Sequence, residues 1–323
     1  MIGPQAVDPV KVVAQPLAAT PPSTRRQPLT TRLAEYGTAL VFLVPSLVVF
    51  ALFIFWPLVR SFRLSLYASD LLGQPTIFVG MANFRQVFTA PGFTRVLLTT
   101  FLYVLLTVIP GILIALALAL LLHNRLPGMR IFRTAFAMPF AYSVATASVV
   151  FGTALFNPAI GILNYLLDLL GLDPVQWLTR PGVALVSVAM VTVWMAIGYN
   201  LLVLLAGLGG IPEDVYEAAR LDGARGPRML RAITLPMLTP SLFFLVVVST
   251  IQSLQSFGQI YILTRGGPNA ATSTLVYSIY DNAFANNNSK FGLASAQAIV
   301  LLVIVLVITA LQFGVLERRV FYR

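Results

Sequence analysis

The chain has 323 residues, 58% of them hydrophobic and 10% charged, against about 25% charged in soluble domains. So few charges cannot keep that much apolar surface in water, which excludes an ordinary soluble fold and points to the bilayer. The 21 basic and 11 acidic residues give +10, a balance that signals nucleic acid in soluble proteins but orientation in membrane proteins. Cysteine is absent, so disulfides and thiol nucleophiles are excluded too.

Taken in chain order, residues 1–30 hold six prolines and no apolar periodicity. They predict a disordered tail over 1–35, followed by one membrane domain over 36–323. No apolar core precedes Arg25-Arg26, so the first span is expected to direct insertion. Charge-free runs then occupy 36–59, 96–124, 134–167, 181–212, 232–264 and 291–316. A span needs about 20 apolar residues. In 134–167 the pair Asn157-Pro158 is expected to stop the helix, leaving too little chain for a second crossing. In 232–264, Pro236 and Pro240 interrupt the start, so the span is expected to begin near Ser241. Residues 275–284 carry an apolar stripe with Asp281 and Asn282 opposite, which predicts an interfacial helix. The expectation is an all-α polytopic membrane protein with six transmembrane helices.

Fourteen basic residues flank one set of span ends and seven the other. The positive-inside rule therefore places both termini in the cytoplasm of a multi-pass protein of the cell membrane.

The loop at 212–239 is the most patterned segment. Pro212, Glu213 and Asp214 suit a helix start, and Gly223 suits the left-handed residue that ends one. A second short helix is expected from Pro227. Ala218 and Ala219 leave one flank nearly bare, open to close approach by another surface. On pattern alone this is equally a solvated hairpin. Its spacing adds more: Glu217-Ala218-Ala219, then Gly223, then Ile233-x-Leu235-Pro236 resembles the EAA loop of ATP-binding-cassette importer permeases. Gly266-Gly267-Pro268, Thr272, Thr274-Leu275 and Tyr277-x-x-Tyr280 resemble the sugar-permease branch of that family. The ending, with Leu293-Ala294-Ser295-Ala296-Gln297 and Gln312-Phe313, is similar to its glycerol-3-phosphate branch, as are Trp194 and Tyr199-Asn200.

The resemblance implies a type I importer permease fold in which this loop is the coupling helix, seated on a cytoplasmic ATPase. It implies that Glu217 pairs with a basic residue of the ATPase, that Ala218 and Ala219 give close contact, and that Gly223, next to Asp222 of the same loop, provides the turn. Ile233, Leu235 and Pro236 complete the motif. The implied partners are a second homologous permease, an ABC ATPase dimer, an extracytoplasmic substrate-binding protein and the lipid bilayer. Lys11 and Lys290, the two lysines, stand in no Gly-Lys-Ser/Thr loop. ATP and Mg are therefore expected in the partner, with no cofactor, metal or nucleic acid held here and no enzymatic activity.

The spans carry no charge, but they do carry uncharged polar residues. Gln252, Ser256 and Gln259 fall at i, i+4 and i+7, one face of an unbroken helix. Trp194, Tyr199 and Asn200 lie near the middle of the fourth run. Amides and aromatic rings suit a hydroxylated ligand, so these six are the candidate substrate path. The same amides can instead glue helices together, at about 1 kcal/mol each. A phosphate would need Arg180, Arg265, backbone amides or another subunit, since no span holds a cation. The uncharged lining suits a neutral sugar or a zwitterionic glycerophosphodiester at least as well, and Trp194 and Tyr199 offer cation–π contact to a choline head. The expected function is import of glycerol 3-phosphate or glycerophosphodiesters. A neutral oligosaccharide or sugar is the alternative; a secondary transporter, which would call for intramembrane ionisable groups or inverted repeats, is a distant one.

Overall fold

The computed structural model describes residues 29–123, 128–285 and 289–317, with side chains from residue 40 onward. Most of the expected tail lies outside these residues, although helix α1 (Leu29–Phe50) already begins within its last stretch. Two compact units divide the chain, one ending at Pro57 and the other beginning at Leu58. In the first, α1 passes into a π turn at Ala51–Phe55, and the large apolar side chains from Leu40 to Trp56 are exposed. Such a surface suits a lipid solvent.

Helix α2 (Trp56–Ser65) leads to an antiparallel hairpin, β1 (Tyr67–Ser69) and β2 (Pro75–Phe78), and then to α3 (Ala82–Thr89). Asn83 Nδ2 ties α3 to this segment by donating to the Ser65 and Tyr67 carbonyls at 2.9 and 3.0 Å. The long helices α4 (Phe93–Leu122) and α8 (Pro181–Gly209) form the centre of the second unit. Between them come α5 (Met129–Ala137), a 3-10 turn at Met138–Ala141, α6 (Val144–Val150) with a π turn at Phe151–Leu155, and α7 (Ile162–Leu169). After α8 follow α9 (Glu213–Leu221), α10 (Pro227–Met229), a π turn at Leu230–Thr234 and α11 (Leu235–Leu254). The described chain ends with α12 (Gly258–Leu263), α13 (Leu275–Tyr280), a π turn at Asp281–Ala285 and α14 (Phe291–Leu316).

Among the described residues, five helices are long and apolar enough to cross a bilayer: Leu40–Ser65, Phe93–Leu122, Pro181–Gly209, Pro227–Leu254 and Phe291–Leu316. The remaining expected span is split into Met129–Ala141 and Val144–Leu155, which meet at 103°. The break has a local cause. Pro139 supplies no N–H to the turn before it, and Ser143 restarts the helix by accepting the Thr146 N–H at 3.1 Å. Asn157 ends the second piece as expected, its Oδ1 accepting the Ala159 N–H at 2.9 Å.

The fifth span also differs from expectation at both ends. It begins at Pro227, not near Ser241, and runs through both prolines. The π turn at Leu230–Thr234 widens the helix just before Pro236, relieving the clash a proline ring makes with the preceding turn. Pro240 cannot donate to the Pro236 carbonyl, and the Thr239 hydroxyl takes that acceptor instead at 2.6 Å. The helix then stops at Leu254, and Gln255 to Phe257 separate it from α12.

One core joins α4, α8 and α11. Val108, Ile112, Ala115, Ala119 and Leu122 recur along one stripe of α4 and meet Leu201, Leu204 and Leu208 of α8 and Leu238 and Leu245 of α11. The alanines let helix backbones approach closely, the packing mode that works where lipid gives no hydrophobic drive. At Gly198 the 3-10 turn crosses α8 so tightly that a Cβ would lie 2.6 Å from the Ala137 carbonyl oxygen and 2.8 Å from the Phe140 nitrogen. A smaller core holds Leu275, Val87, Phe93 and Ala296 together. The segment expected as an interfacial helix turns only part of its stripe inward: Leu275 is fully buried and Ala283 nearly so, while Phe284 stays exposed.

Candidate functional site

A cavity of about 690 Å³ lies between α4, α8, α11 and α12. Helix α4 contributes Thr107 and Val108, and α8 contributes Thr192, Met195, Ala196, Tyr199 and Asn200. Ser249, Gln252 and Ser253 come from α11, Gln255, Ser256 and Phe257 from the break, and Gly258 and Gln259 from α12. Phe140 and Val144 close the side formed by the 103° bend. Among the described residues, none that lines it is charged.

Five of the six residues picked out as a substrate path therefore line one cavity: Tyr199, Asn200, Gln252, Ser256 and Gln259. The reason differs from the expected one. Gln252, Ser256 and Gln259 do not share the face of one helix; they converge because the helix breaks between them. Trp194 does not line the cavity. Its ring packs 5.6 Å from Tyr142 and 5.2 Å from Phe151, in a cluster with Ala147, Phe156 and Val191. That placement is aromatic core packing.

Sequence reasoning missed what stands behind the wall. Tyr103, fully buried, places its hydroxyl 2.6 Å from Thr192 Oγ1 and 3.1 Å from Ser256 Oγ. Ser256 in turn donates to Gln259 Oε1 at 3.1 Å. Thr107 Oγ1 donates to the Tyr103 carbonyl at 2.8 Å and lies 2.6 Å from Ser253 Oγ. The signal was present: Tyr103, Thr107 and Gly111 recur every fourth residue along an otherwise apolar run.

The second candidate region is α9. Pro212 sits just outside the helix (φ −60°, ψ 141°), Glu213 and Asp214 occupy its first turn, and Arg220 its last, each matched to the helix dipole. Glu217, Ala218, Leu221 and Asp222 are exposed, Leu221 at 89%. Ala219, however, is buried, so the two alanines do not form one bare flank; Ala218 alone belongs to the open face. Ala219 instead accepts the Ala224 N–H at 2.9 Å, while Gly223 turns the chain with φ +80°. Only glycine adopts that φ without strain. Tyr216 reaches Thr234 across 3.3 Å, and Ile233, Leu235 and Pro236 are half-buried where the π turn enters α11. The eight motif residues thus lie on α9, the turn after it and the root of α11, with the expected second short helix present as the single turn α10, which begins at Pro227 and runs on through the π turn into α11.

Residues 17–322 match the family described as the binding-protein-dependent transport system inner membrane component. The chain belongs to that family. It is similar to the sn-glycerol-3-phosphate transport system permease protein UgpA of Agrobacterium fabrum, with 38% identity over 281 residues, covering 86% of this chain and 94% of the relative. It is also similar to a probable ABC transporter permease protein of Pyrococcus horikoshii, 33% identical over 277 residues, covering 85% of this chain and 94% of that one. Among solved structures, a chain of a bacterial alginate ABC transporter, in complex with alginate pentasaccharide-bound periplasmic protein, superposes with a TM-score of 0.77. That match spans 90% of this chain and 97% of the other at 23% identity, which supports the shared permease fold.

In this permease the glycine-rich motif before α13 serves the cavity wall. Gly266 (φ +76°) lies so close to Tyr277 that a side chain there would enter its ring. Thr272 Oγ1 donates to the Gly267 carbonyl at 2.7 Å, and the Leu275 N–H donates to Thr100 Oγ1 at 2.9 Å, pinning α13 to α4. Burial, and then the nearby Asp281 charge, push the Tyr277 phenol above its ordinary range, so it stays neutral. Tyr280 and Tyr261 pack on Phe257 at 4.9 and 5.3 Å, and Phe257 lines the cavity.

Proposed function

We propose that this permease is the translocation subunit of an importer for glycerol 3-phosphate or glycerophosphodiesters, with the charge-free cavity as its substrate path. The observation that carries the substrate class is the 38% identity to a curated glycerol-3-phosphate permease over 86% of the chain. Tyr199, Asn200, Gln252, Ser256 and Gln259 supply the hydrogen-bonding groups a polyol needs. A second reading, a neutral oligosaccharide or sugar, draws support from the absence of charge in the lining.

In this reading a second homologous permease completes the pathway, and an extracytoplasmic binding protein delivers the substrate. An ABC ATPase dimer, which holds ATP and Mg, seats α9 through Glu217, Ala218, Leu221 and Asp222. Both termini face the cytoplasm. The helix from Pro227 to Leu254 is the mechanical link. Its 28 residues span about 42 Å at 1.5 Å per residue. It meets α9 at one end through Tyr216 and Thr234, and at the other it carries Gln252 and Ser253 into the cavity. ATP-driven movement of α9 therefore displaces one wall of the path.

The test is ATP-dependent uptake of radiolabelled glycerol 3-phosphate, glycerophosphocholine and maltose by the complete importer in proteoliposomes. Uptake of either phosphate compound with maltose excluded supports the reading. Uptake of maltose alone overturns it in favour of the sugar.

A further inference from the structure

Two amides on the cavity wall are more than nine-tenths buried and yet incompletely paired. Asn200 is 2% exposed and Gln259 8%. Among the described residues, Asn200 has no side-chain hydrogen bond, and Gln259 has one, on Oε1. Buried amides are ordinarily satisfied, so groups left open toward a cavity point to a ligand that completes them.

Gln259 is placed with its carbonyl oxygen toward Ser256, and the direction of the remaining contacts follows from counting protons. Ser256 has one hydroxyl proton, and it goes to Gln259 Oε1. The contact between Tyr103 and Ser256 must then use the Tyr103 proton. That leaves the 2.6 Å contact between Tyr103 and Thr192 to use the Thr192 proton, in preference to the Val188 carbonyl at 3.5 Å. The chain therefore runs one way, from Thr192 through Tyr103 and Ser256 to the Gln259 carbonyl oxygen. The Gln259 amino group, with both its protons, is left for the cavity.

The neighbouring pair has the opposite polarity. Thr107 gives its proton to the Tyr103 carbonyl at 2.8 Å, so its 2.6 Å contact with Ser253 uses the Ser253 proton. Only lone pairs remain there. The cavity thus offers donors at Gln259 and acceptors at Thr107 and Ser253.

We infer that Tyr103, which does not line the cavity, is a positioning residue that locks the Gln259 amino group outward, so that this end receives a phosphoryl oxygen. A phosphoryl oxygen accepts hydrogen bonds and gives none, so it can sit at Gln259 and not at the Thr107–Ser253 pair. A substrate hydroxyl can donate to that pair. The polarity of the wall orients a hydroxylated phosphate ester without any cation in the lining. This inference rests on the reading of the cavity as the substrate path.

The test uses the complete importer in proteoliposomes and uptake of radiolabelled glycerol 3-phosphate, for Tyr103→Phe, Gln259→Leu, their combination, Gln259→Glu and Asn200→Leu. Removing a hydrogen bond to a charged ligand, Gln259→Leu is expected to lower uptake efficiency roughly tenfold. Tyr103→Phe keeps the ring and frees the amide to rotate, with an expected loss of roughly fivefold. Because both act through one amide, the double variant should be no worse than Gln259→Leu, a coupling that general damage does not give. Gln259→Glu places an acidic oxygen where the amino group stood and should be worse than Gln259→Leu. Losses that multiply in the double variant, or a Gln259→Glu variant as active as Gln259→Leu, overturn the positioning role while leaving the cavity assignment intact. Unchanged uptake in both Asn200→Leu and Gln259→Leu overturns the cavity assignment and this inference with it.

Discussion

The cavity and helix α9 hold their polar side chains in opposite ways. In the cavity, Asn200 and Gln259 are nearly fully buried and keep open hydrogen-bonding capacity. In α9, Glu217 and Asp222 face outward, while the inward groups are settled: Ala219 accepts the Ala224 N–H and Tyr216 meets Thr234. An unpaired buried amide costs about 1–3 kcal/mol of stability, whereas an exposed carboxylate costs almost nothing. In the proposed function, the cavity works through unmet hydrogen bonds and α9 through a fixed shape. Damage to each region should read out differently.

The sharpest break comes from altering that shape. Glu217→Ala combined with Gly223→Pro forces φ near −65° where the chain needs +80°. Substrate-stimulated ATP hydrolysis and uptake by the assembled importer are expected to fall by about 100-fold or more, the equivalent of about 3 kcal/mol. Retention of wild-type coupling would remove α9 from its assigned role. Next in size, Gly198→Ala pushes a methyl group into the Ala137 and Phe140 backbone, a strain of about 1–3 kcal/mol visible as a lower melting temperature of the purified complex. An unshifted melt would mean that the crossing is looser than described.

Asn200→Leu sharpens the contrast most directly. It removes a buried amide that has no side-chain partner among the described residues, so stability should hold or rise while uptake drops about tenfold. A destabilisation of about 2 kcal/mol with uptake unaltered would instead make Asn200 structural. Smallest is Thr239→Val, which strands the Pro236 carbonyl at about 1 kcal/mol, measured by the same melt, with uptake nearly unchanged.

The spans were legible because charge is excluded from lipid, and the charge-free runs mark them. Their breaks were harder to read, since proline alone is ambiguous. Pro240 lies within a continuous helix because the Thr239 hydroxyl serves the carbonyl it orphans. Pro139 precedes a break because Ser143 offers the chain a new helix start four residues later. The deciding partner is a neighbour's side chain, not the proline itself. Local spacing likewise found five cavity residues but misplaced Trp194, because a ring's direction depends on which helix packs against it. Tyr103 escaped notice for the same reason: its partners lie on α8 and beyond α11, far off in sequence. In α9, the motif was visible in order and spacing, but the inward turn of Ala219 depends on contacts the spacing does not encode.

The π turn at Leu230–Thr234 has a consequence for register. A π turn accommodates one residue more than an α turn, so the junction between α9 and the cavity helix carries a spare residue. Deleting one residue from 230–234 would let the helix close into regular α form while everything beyond Pro236 kept its core face. The turn before it would keep its bearing as well, because only the extra residue of the bulge is lost. A residue lost from the regular helix beyond Pro236 has no such slack and would turn one end against the other by about 100°, leaving the Thr234 end and the cavity end at a new mutual bearing.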